Sequence, residues 1–237
     1  MKSVCVVIPM LNEEKIAAKC IDAVIKALNE IKTKVGFIVV NAASYDKTRQ
    51  ILDNKKKQYK NKLVVINLKN NSGYGGALQE GTKKADKLGF DFVLFMDSDL
   101  TNNPRDIHKF TKLASDNIDC VKATRYEKGG KMQGVPQYRQ IISKLGNLLA
   151  RYLLRVNLSD CTNGFRMVKV SMIKNIKFKE KTFAIIMEEL YELKIKGAKF
   201  ANIPVTLTTR TDTKTQFSYS WKTFYNYGKY AIKAALL

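Results

Sequence analysis

Two aspartates that stand one residue apart, Asp97 and Asp99, follow directly on an apolar run at residues 92–96. Alternate residues of an extended chain point to the same side, so both carboxylates could bind one divalent cation. Carboxylate oxygens favour Mg²⁺ or Mn²⁺, and a bound Mg²⁺ commonly contacts substrate phosphates as well. The pair therefore indicates a metal site, although a turn cap at Asp99 beside a solvated Asp97 is an open alternative.

Two other segments place polar residues or glycines where a predicted strand or helix ends or begins. Pro9, Asn12 and Glu13 end the first apolar run, where a helix cap at Asn12 is the alternative. Residues 71–81, NSGYGGALQEG, open a predicted helix whose N-terminus favours anions and whose glycines allow a close approach of the backbone. The segment matches neither the dinucleotide-binding glycine pattern nor a P-loop, so a simple tight turn stays open.

Histidine and cysteine offer little chemistry in this chain. His108 is the single histidine and falls inside a predicted helix, so we expect a structural role for it. The four cysteines are far apart and lack metal-type spacing, which predicts reduced, buried thiols in a cytosolic protein.

The elements that must position these residues alternate along the first half of the chain. Apolar strands are predicted at residues 4–9, 35–40, 63–68, 91–96 and 118–123. Helices are predicted at residues 13–30, 46–59, 76–88 and 104–115. This alternation is typical of an α/β fold with a mainly parallel central sheet and helices on both faces. Ligands of such sheets bind at the carboxyl ends of the strands, which is where Asp97 and Asp99 fall.

The second half follows a different pattern. A basic, glycine-rich loop at residues 126–136 precedes an amphipathic helix at 137–155. The later elements are a loop leading into a short strand at 160–168, a helix at 182–194, a strand at 199–207 and an amphipathic helix at 218–237. We see no internal repeat and no linker between domains.

Lysine and arginine outnumber aspartate and glutamate by 42 to 21, which gives a net charge of +21. This excess predicts an anionic partner, such as nucleic acid, acidic lipid or a phosphate-bearing substrate, or else a solvated lysine-rich surface. No nucleic-acid-binding motif is present, so we do not expect a nucleic-acid partner. No run approaches the roughly 20 apolar residues of a membrane span, so we expect any membrane contact to be peripheral.

Seven segments, taken in order, resemble family 2 glycosyltransferases, most closely the dolichol-phosphate mannose synthase-like branch that acts on polyprenyl phosphates. They are VVIPMLNEE, VVNAASYDKT, NSGYGGALQEG, FMDSDL, KATRY, DCTNGFRMV and IPVTLTTR, within residues 3–217. The resemblance implies a glycosyltransferase A-type fold, a nucleoside-diphosphate sugar as the donor, and Mg²⁺ or Mn²⁺ as the cofactor.

The resemblance also implies roles for individual residues. The implied donor-binding residues are Pro9, Leu11, Asn12, Glu13, Asn41, Ser72, Gly73, Asp97, Ser98 and Arg210. The implied metal ligands are Asp97 and Asp99, and the implied ligands of an acceptor phosphate are Arg125, Arg139 and Ser143. Asp160 and Glu188 would be the catalytic residues facing the sugar or the acceptor.

The acceptor decides whether a catalytic base is needed. A lipid phosphate is already a nucleophile, whereas a hydroxyl must lose its proton to a carboxylate. For a hydroxyl acceptor, Glu188 is the first candidate for the base, and Glu189 and Asp160 are the second choices. A solvated helix face is the alternative for Glu188 and Glu189.

Two segments depart from the family pattern. Asn41, Ala42 and Ala43 stand where the family has two aspartates and a glycine. A carboxylate there accepts from the ring N–H of uracil or guanine, whereas Asn41 can donate, so the donor could be UDP- or GDP-linked with a base held by the backbone, or cytidine-based. Residues 211–216 replace the family's G-x-S-K motif, with Lys214 as the candidate for its lysine.

We therefore predict a metal-dependent inverting glycosyltransferase with a catalytic domain over residues 1–217. The acceptor would be a polyprenyl phosphate or a glycan, at the cytoplasmic face of the inner membrane. An amphipathic helix over residues 218–237, together with Lys144, Arg151 and Arg155, would attach the protein to anionic lipid. A core-packed last helix, a soluble or protein acceptor, and a non-catalytic nucleotide-sugar binding protein are the alternatives.

Overall fold

The computed structural model describes residues 2–210 and 221–236. The strands are β1 (Val4–Met10), β2 (Val35–Asn41), β3 (Val64–Asn67), β4 (Phe92–Phe95), β5 (Cys120–Thr124), β6 (Lys131–Met132), β7 (Arg166–Lys169), β8 (Phe200–Pro204) and β9 (Thr206–Leu207). The helices are α1 (Ala17–Asn29), α2 (Thr48–Tyr59), α3 (Gly73–Lys87), α4 (Ile107–Leu113), α5 (Gln137–Leu154), α6 (Val170–Ile173), α7 (Ile185–Ile195) and α8 (Trp221–Ala235). The segment predicted to replace G-x-S-K, with Lys214, lies outside the described residues.

Seven strands form one sheet in the order β3-β2-β1-β4-β7-β5-β8. Neighbouring strands are parallel except β7, which runs antiparallel to both β4 and β5. Strands β6 and β9 form a separate parallel pair. The prediction of an α/β fold with a mainly parallel sheet is confirmed, and β7 adds an antiparallel strand in the middle of it.

The central strand β1 is buried on both faces of the sheet. Val4, Val6 and Ile8 pack in one apolar cluster that includes α1, while Cys5 and Val7 pack in a second cluster that includes α3. Because side chains of a strand alternate between the two faces, a strand covered on both sides must be apolar at every position. This explains the unbroken apolar run and confirms the prediction of helices on both faces.

The last helix is also packed against the rest of the protein through one face. Tyr230, Ala231 and Ala234 of α8 are buried in a third cluster that also contains Leu154 of α5 and Leu190 of α7. Residues 218–237 were expected to form a separate helix on the membrane surface, but this face of α8 packs against α5 and α7 instead. The structure agrees instead with the core-packed alternative, while Ile232, on the exposed side, is 54% exposed.

All four cysteines are buried and free, as their spacing predicted. Burial raises the pKa of the Cys120 thiol to about 12, so this group stays protonated and unreactive.

None of the helices in the described part of the chain is both long enough and apolar enough to cross a membrane.

Candidate active site

A cavity of about 1070 Å³ opens at the carboxyl ends of β1 and β4. One part of it is polar and contains Glu13, Asp97 and Asp99. The other part lies among α5, α7 and α8 and is lined by apolar side chains: Ile142, Leu149, Ala150, Leu153, Ile186, Met187 and Ala231. Its position follows from the parallel sheet, whose strand ends and following loops point to one edge.

Asp97 and Asp99 lie in the polar part, and Asp97 is partly buried. Burial and the neighbouring Asp99 charge raise the pKa of Asp97 to about 6. The Tyr74 hydroxyl opposes this effect by donating a hydrogen bond to Asp97 Oδ1 at 2.9 Å. Two adjacent carboxylates in a poorly hydrated position would be stabilised by a divalent cation.

Asp99 is oriented by the residue two positions after it. The backbone N–H and the hydroxyl of Thr101 both donate to Asp99 Oδ1, at 3.0 and 2.8 Å. This contact matches the turn cap that was the alternative for Asp99, and it leaves Oδ2 without a hydrogen bond to the described residues. The cap therefore uses one oxygen of the carboxylate and leaves the other available to a cation. Hard oxygen donors of this kind fit Mg²⁺ or Mn²⁺.

Gly164 allows the 160–164 loop to pass close to Asp97. A Cβ atom at this position would lie 2.9 Å from Asp97 Oδ2, closer than such contacts occur. The next residues extend the loop into β7, where Arg166 Nη1 donates to the Gly164 carbonyl at 2.9 Å. The glycine therefore sets the distance between the loop and the candidate metal site.

Glu13 and Arg210 form an ion pair on the polar side of the cavity, although 197 residues separate them. Their side chains are only 7% and 9% exposed. Glu13 is fixed further by its backbone N–H, which donates to Thr48 Oγ1 at 2.8 Å. The pair places a guanidinium group in the cavity that contains the two aspartates.

Asn41 and Asn12 do not line this cavity. Asn41 Nδ2 donates to Asn67 Oδ1 at 2.9 Å, and Asn41 Oδ1 accepts from the Ser44 N–H at 3.0 Å. Asn12 Oδ1 accepts from the Tyr45 N–H at 3.0 Å. Both amides therefore join strand-end loops to each other. The structure gives no support to the hypothesis that Asn41 selects a cytidine base, because Asn41 does not border the cavity and its amide binds other strand-end groups.

Ala42 and Ala43 follow Asn41 in the segment where the family has two aspartates and a glycine. Ala42 is buried and borders the cavity in place of a carboxylate. Ala43, which stands at the family's glycine, adopts the left-handed conformation with φ of +62°. The backbone thus keeps a shape that suits glycine although the side chain has changed.

The glycine-rich segment packs against protein backbone. A Cβ on Gly75 would lie 2.1 Å from the Glu180 carbonyl oxygen, and one on Gly73 would lie 2.4 Å from that of Lys181. Gly73 also has a φ of +75° and borders the cavity. Ser72 does not border it. These glycines are therefore required by the close approach of residues 180 and 181, and only Gly73 remains a candidate donor contact.

Arg125 and Asp160 form a bidentate ion pair. Arg125 Nε and Nη2 lie 2.7 and 2.9 Å from the two Asp160 oxygens. Arg125 borders the cavity, whereas Asp160 is fully buried behind it and the pKa of its carboxyl group is lowered by Arg125 despite burial. Asp160 thus positions Arg125 and does not border the cavity, whereas the resemblance led us to expect it to face the sugar or the acceptor.

Arg139 and Ser143 lie on α5 and border the cavity. The Ser143 hydroxyl is 2.6 Å from the Tyr126 hydroxyl. Arg139 Nε donates to Tyr138 Oη at 3.1 Å. With Arg125, these residues give the cavity two guanidinium groups and a hydroxyl, which is a suitable set for a phosphate.

Glu188 is buried and does not line the cavity. Its carboxylate accepts hydrogen bonds from the backbone N–H groups of Lys179 at 3.0 Å and Glu180 at 2.8 Å. The expected role as a base does not agree with this position. The alternative, a solvated helix face, does not agree with the structure either, because both glutamates are buried. Glu189 forms an ion pair with Arg166 at 2.6 Å.

Sequence reasoning missed an asparagine that holds the site together. Asn147 on α5 is 1% exposed, and its Oδ1 accepts from the N–H groups of Cys161 and Thr162 at 2.7 and 3.1 Å. Its Nδ2 donates to the Ser143 carbonyl at 2.8 Å. A polar residue among the apolar positions of a helix was the available signal. Asn147 joins α5 to the loop beside Asp97.

Eleven of the sequence-predicted site residues meet at one cavity, although they come from distant parts of the chain. They are Pro9, Leu11, Glu13, Gly73, Asp97, Ser98, Asp99, Arg125, Arg139, Ser143 and Arg210. The predicted residues that do not border it are Asn12, Asn41, Ser72, Asp160 and Glu188.

The mainly parallel sheet, with two aspartates and arginines at its carboxyl edge, defines the class of the protein as a glycosyltransferase A-type fold. A sequence profile described as glycosyl transferase family 2 matches residues 5–177, which is more than half of the chain. The chain belongs to this family.

Relatives of known sequence cover most of the chain. An uncharacterised protein of Methanocaldococcus jannaschii is 29% identical over 202 residues, covering 81% of this chain and 82% of the relative. A dolichol-phosphate mannosyltransferase of Pyrococcus furiosus is 28% identical over 87% of this chain, but the match spans only 57% of that enzyme. A polyprenol monophosphomannose synthase of Mycolicibacterium smegmatis is 23% identical over 86% of this chain and 77% of its own.

Solved structures agree on the fold. Glucosyl-3-phosphoglycerate synthase from Mycobacterium tuberculosis, in complex with UDP, is 17% identical and superimposes with a TM-score of 0.70 over 100% of this chain and 81% of its own. The same enzyme with Mn²⁺, UDP and glucosyl-3-phosphoglycerate gives a TM-score of 0.66 at 19% identity, over 100% of this chain and 79% of its own. At this identity the likeness establishes the fold alone.

Proposed function

We propose that this protein transfers a sugar from a nucleoside-diphosphate sugar to a polyprenyl phosphate, with inversion at the anomeric carbon. The observation that carries the proposal is that one cavity of about 1070 Å³ is lined both by Asp97 and Asp99 and by apolar side chains of α5, α7 and α8, which suit a hydrocarbon chain. The names of two relatives, a dolichol-phosphate mannosyltransferase and a polyprenol monophosphomannose synthase, support this acceptor class.

Asp97 and Asp99 would hold Mg²⁺ or Mn²⁺, which neutralises charge on the leaving diphosphate when bound. The Arg210 guanidinium, held by Glu13, would stabilise the same developing negative charge. An oxygen of the acceptor phosphate attacks the anomeric carbon, and the bond to the diphosphate breaks with its electron pair leaving on the diphosphate. UDP and GDP are the expected nucleotides, since Asn41 gives no support for a cytidine donor.

The carboxylates of the cavity favour a phosphate acceptor over a hydroxyl. Among the described residues, the carboxylate side chains that border the cavity are those of Glu13, Asp97 and Asp99. Glu13 is paired with Arg210, and the aspartates are assigned to the metal. A hydroxyl acceptor needs a base that this set does not offer, whereas a phosphate needs none.

Transfer assays with radiolabelled UDP-glucose and GDP-mannose, in the presence of Mn²⁺, test the function. We expect label to pass to a short polyprenyl phosphate and not to the matching polyprenol. Asp99→Asn should abolish transfer, while the surface variant Asp86→Asn should keep it. Equal transfer to the polyprenol would contradict a phosphate acceptor. Transfer to 3-phosphoglycerate but not to the lipid would favour the alternative of a soluble acceptor.

We also infer that α5 rests on an anionic membrane surface. Large apolar side chains of this helix are exposed to 43–78%: Tyr138, Ile141, Ile142, Leu145, Leu148, Leu149 and Tyr152. The exposed basic residues Lys144, Arg151 and Arg155 lie on or directly after the same helix. Apolar insertion together with basic residues is typical of interfacial helices, and Ile142 and Leu149 continue into the apolar part of the cavity.

Flotation with liposomes that contain anionic lipid tests this surface. The double variant Leu145→Glu/Leu148→Glu should lose binding, because both side chains are 61% exposed and charge opposes their insertion. Ile195→Glu, an exposed position on α7, is the matched control and should still bind. Removal of residues 218–237 is unsuitable, because it would remove the buried face of α8. Unchanged flotation of the double variant would exclude α5 as the membrane contact.

A further inference from the structure

Residues 179–183, just before α7, connect the last helix to the start of α3. The segment forms neither helix nor strand, so side-chain and backbone contacts must hold it in place. On one side the Glu180 carboxylate forms an ion pair with Lys229 of α8, and the Tyr230 hydroxyl donates to Glu180 Oε1 at 3.1 Å. The Glu180 side chain is only 12% exposed, so solvent screens this ion pair little.

The other side of the segment contacts residues that lead to the candidate metal site. The Lys181 carbonyl accepts from the Gly75 N–H at 3.1 Å. The Phe183 ring packs on the Tyr74 ring, with centroids 4.5 Å apart. Tyr74 in turn donates to Asp97 Oδ1 at 2.9 Å. The segment therefore holds the ring whose hydroxyl orients the Asp97 carboxylate.

Two glutamates anchor the start of this segment to different helices. The Glu188 carboxylate accepts from the N–H groups of Lys179 and Glu180 and so fixes their backbone to α7. The side chain of Glu180 ties the same residues to α8. Closely packed groups transmit a displacement rather than absorb it, so a change in the position of α8 must move the 179–183 segment.

We propose that Glu180 is a positioning residue, through which the seating of α8 sets the affinity of Asp97 for its metal. The connection runs through the two aromatic rings that pack between the segment and the aspartate. This inference rests on the proposed function, in which Asp97 is assigned to the metal. Helix α8 also lines the cavity through Tyr227 and Ala231, so one helix links the wall of the cavity to its metal site.

Titration calorimetry with Mn²⁺ alone at pH 7.5 tests the proposal. Lys229→Met removes the cation, and Glu180→Gln removes the charge while it keeps an oxygen for the Tyr230 hydroxyl. Each change loosens the segment and leaves Tyr74 less well placed to orient Asp97, so we expect the Mn²⁺ affinity to fall about two- to thirtyfold. Lys229→Arg keeps the cation and should keep the wild-type affinity.

A double-mutant cycle with Tyr74→Phe tests whether the effect passes through these contacts. In a Tyr74→Phe protein, Lys229→Met should cause no further loss of Mn²⁺ affinity, because the hydrogen bond that it weakens is already absent. A loss of full size in that background would overturn the proposal. Wild-type Mn²⁺ affinity in both Lys229→Met and Glu180→Gln, whatever their stability in urea, would indicate a purely structural role and overturn it as well.

Lys174→Met is the matched control, because it breaks an ion pair with Asp86, at the other end of α3 from Tyr74, where both side chains are 40% exposed. It should leave the Mn²⁺ affinity unchanged. A loss equal to that of Lys229→Met would show that the response is not specific to Glu180 and would overturn the proposal. A wild type that binds no Mn²⁺ would instead overturn the metal assignment in the proposed function, and this inference with it.

Discussion

The hydroxyl of Tyr74 lies 2.9 Å from Oδ1 of Asp97 and donates a hydrogen bond to it. The Tyr74 ring is held in place by Phe183, with ring centroids 4.5 Å apart. Burial and Asp99 raise the pKa of Asp97, and the Tyr74 hydrogen bond lowers it. Tyr74 therefore favours the ionised form of the aspartate, which is the form that binds a metal.

Replacing Tyr74 with phenylalanine should shift the pH dependence of metal binding. The wild-type pKa of about 6 means that Mn²⁺ affinity falls as the pH drops through about 6. Without the hydrogen bond the pKa rises further, so the fall should begin at a pH roughly one unit higher. Electron paramagnetic resonance of free Mn²⁺ between pH 5 and 8 measures both curves.

Tyr191→Phe is the control for that experiment, because the Tyr191 ring packs on Tyr230 between α7 and α8 and does not border the cavity. The midpoint of its Mn²⁺ binding against pH should equal that of the wild type. A Tyr74→Phe midpoint equal to that of the wild type would show that the hydrogen bond does not act on Asp97.

Asp97→Asn should stabilise the protein when no metal is present. The folded-state pKa of about 6 lies above the ordinary value of 3.8, so the unfolding free energy of the wild type falls as the pH rises from about 4 to 6. Asparagine removes this loss while still accepting from Tyr74. We expect a gain of about 1–3 kcal/mol at pH 7.5 in EDTA, and none below pH 4, in urea titrations.

Added Mn²⁺ should reverse the order of stability, because it binds the folded wild type and not the variant. Asp86→Asn, on the exposed side of α3, is the control and should show neither effect. A less stable Asp97→Asn protein in EDTA at pH 7.5 would contradict the direction assigned to the Asp97 pKa.

The pattern of apolar runs was sufficient to predict the architecture around Asp97. Strands buried on both faces leave an unbroken apolar signature, so β1, β2, β4 and β5 were located from the sequence, as were the loops that follow them. The antiparallel direction of β7 was not predictable, because it depends on pairing with β4 and β5, far away in the chain. Strand direction is set by tertiary contacts that a four-residue segment does not record.

The candidate site was predictable in its residue types and less so in its contacts. Glu188 was expected to face the acceptor, but α7 is buried from Ile185 to Leu190, and the carboxylate binds backbone N–H groups eight and nine residues earlier. Asn41 was expected to face a base, but its partner is Asn67, at the end of the neighbouring strand. Motifs indicate which residues gather at a strand edge, whereas the direction of each side chain depends on partners distant in sequence.

Gly164→Ala should weaken metal binding with little change in the fold. The new methyl group would lie 2.9 Å from Asp97 Oδ2 and must displace the carboxylate. Changes next to a metal ligand commonly cost 10- to 100-fold in affinity, so we expect a loss of about tenfold or more for Mn²⁺. Titration calorimetry measures the affinity, and thermal unfolding in EDTA reports on the fold.

Gly146→Ala is the matched glycine variant, because no atom outside its own helix lies within 4 Å of the added Cβ. It should keep the wild-type Mn²⁺ affinity and gain up to about 1 kcal/mol in stability. Equal Mn²⁺ affinity in the two alanine variants would indicate that the 160–164 loop moves freely away from Asp97.

Glu188→Ala distinguishes a structural role from the role of a base. Its carboxylate accepts from two backbone N–H groups, so alanine should lower the unfolding free energy by about 2–4 kcal/mol in urea titrations. Glu192→Ala, farther along α7, should change it by less than about 0.5 kcal/mol.

Activity per folded molecule provides the second measurement on Glu188→Ala. If no base is needed, kcat should stay within about tenfold of the wild type, and added formate or azide should not raise it. Loss of a general base would instead lower kcat by about 10²–10⁴, and a small exogenous base would restore part of it. Such rescue would show that Glu188 acts as the general base. Because a phosphate acceptor needs no base, it would also favour a hydroxyl acceptor over a lipid phosphate.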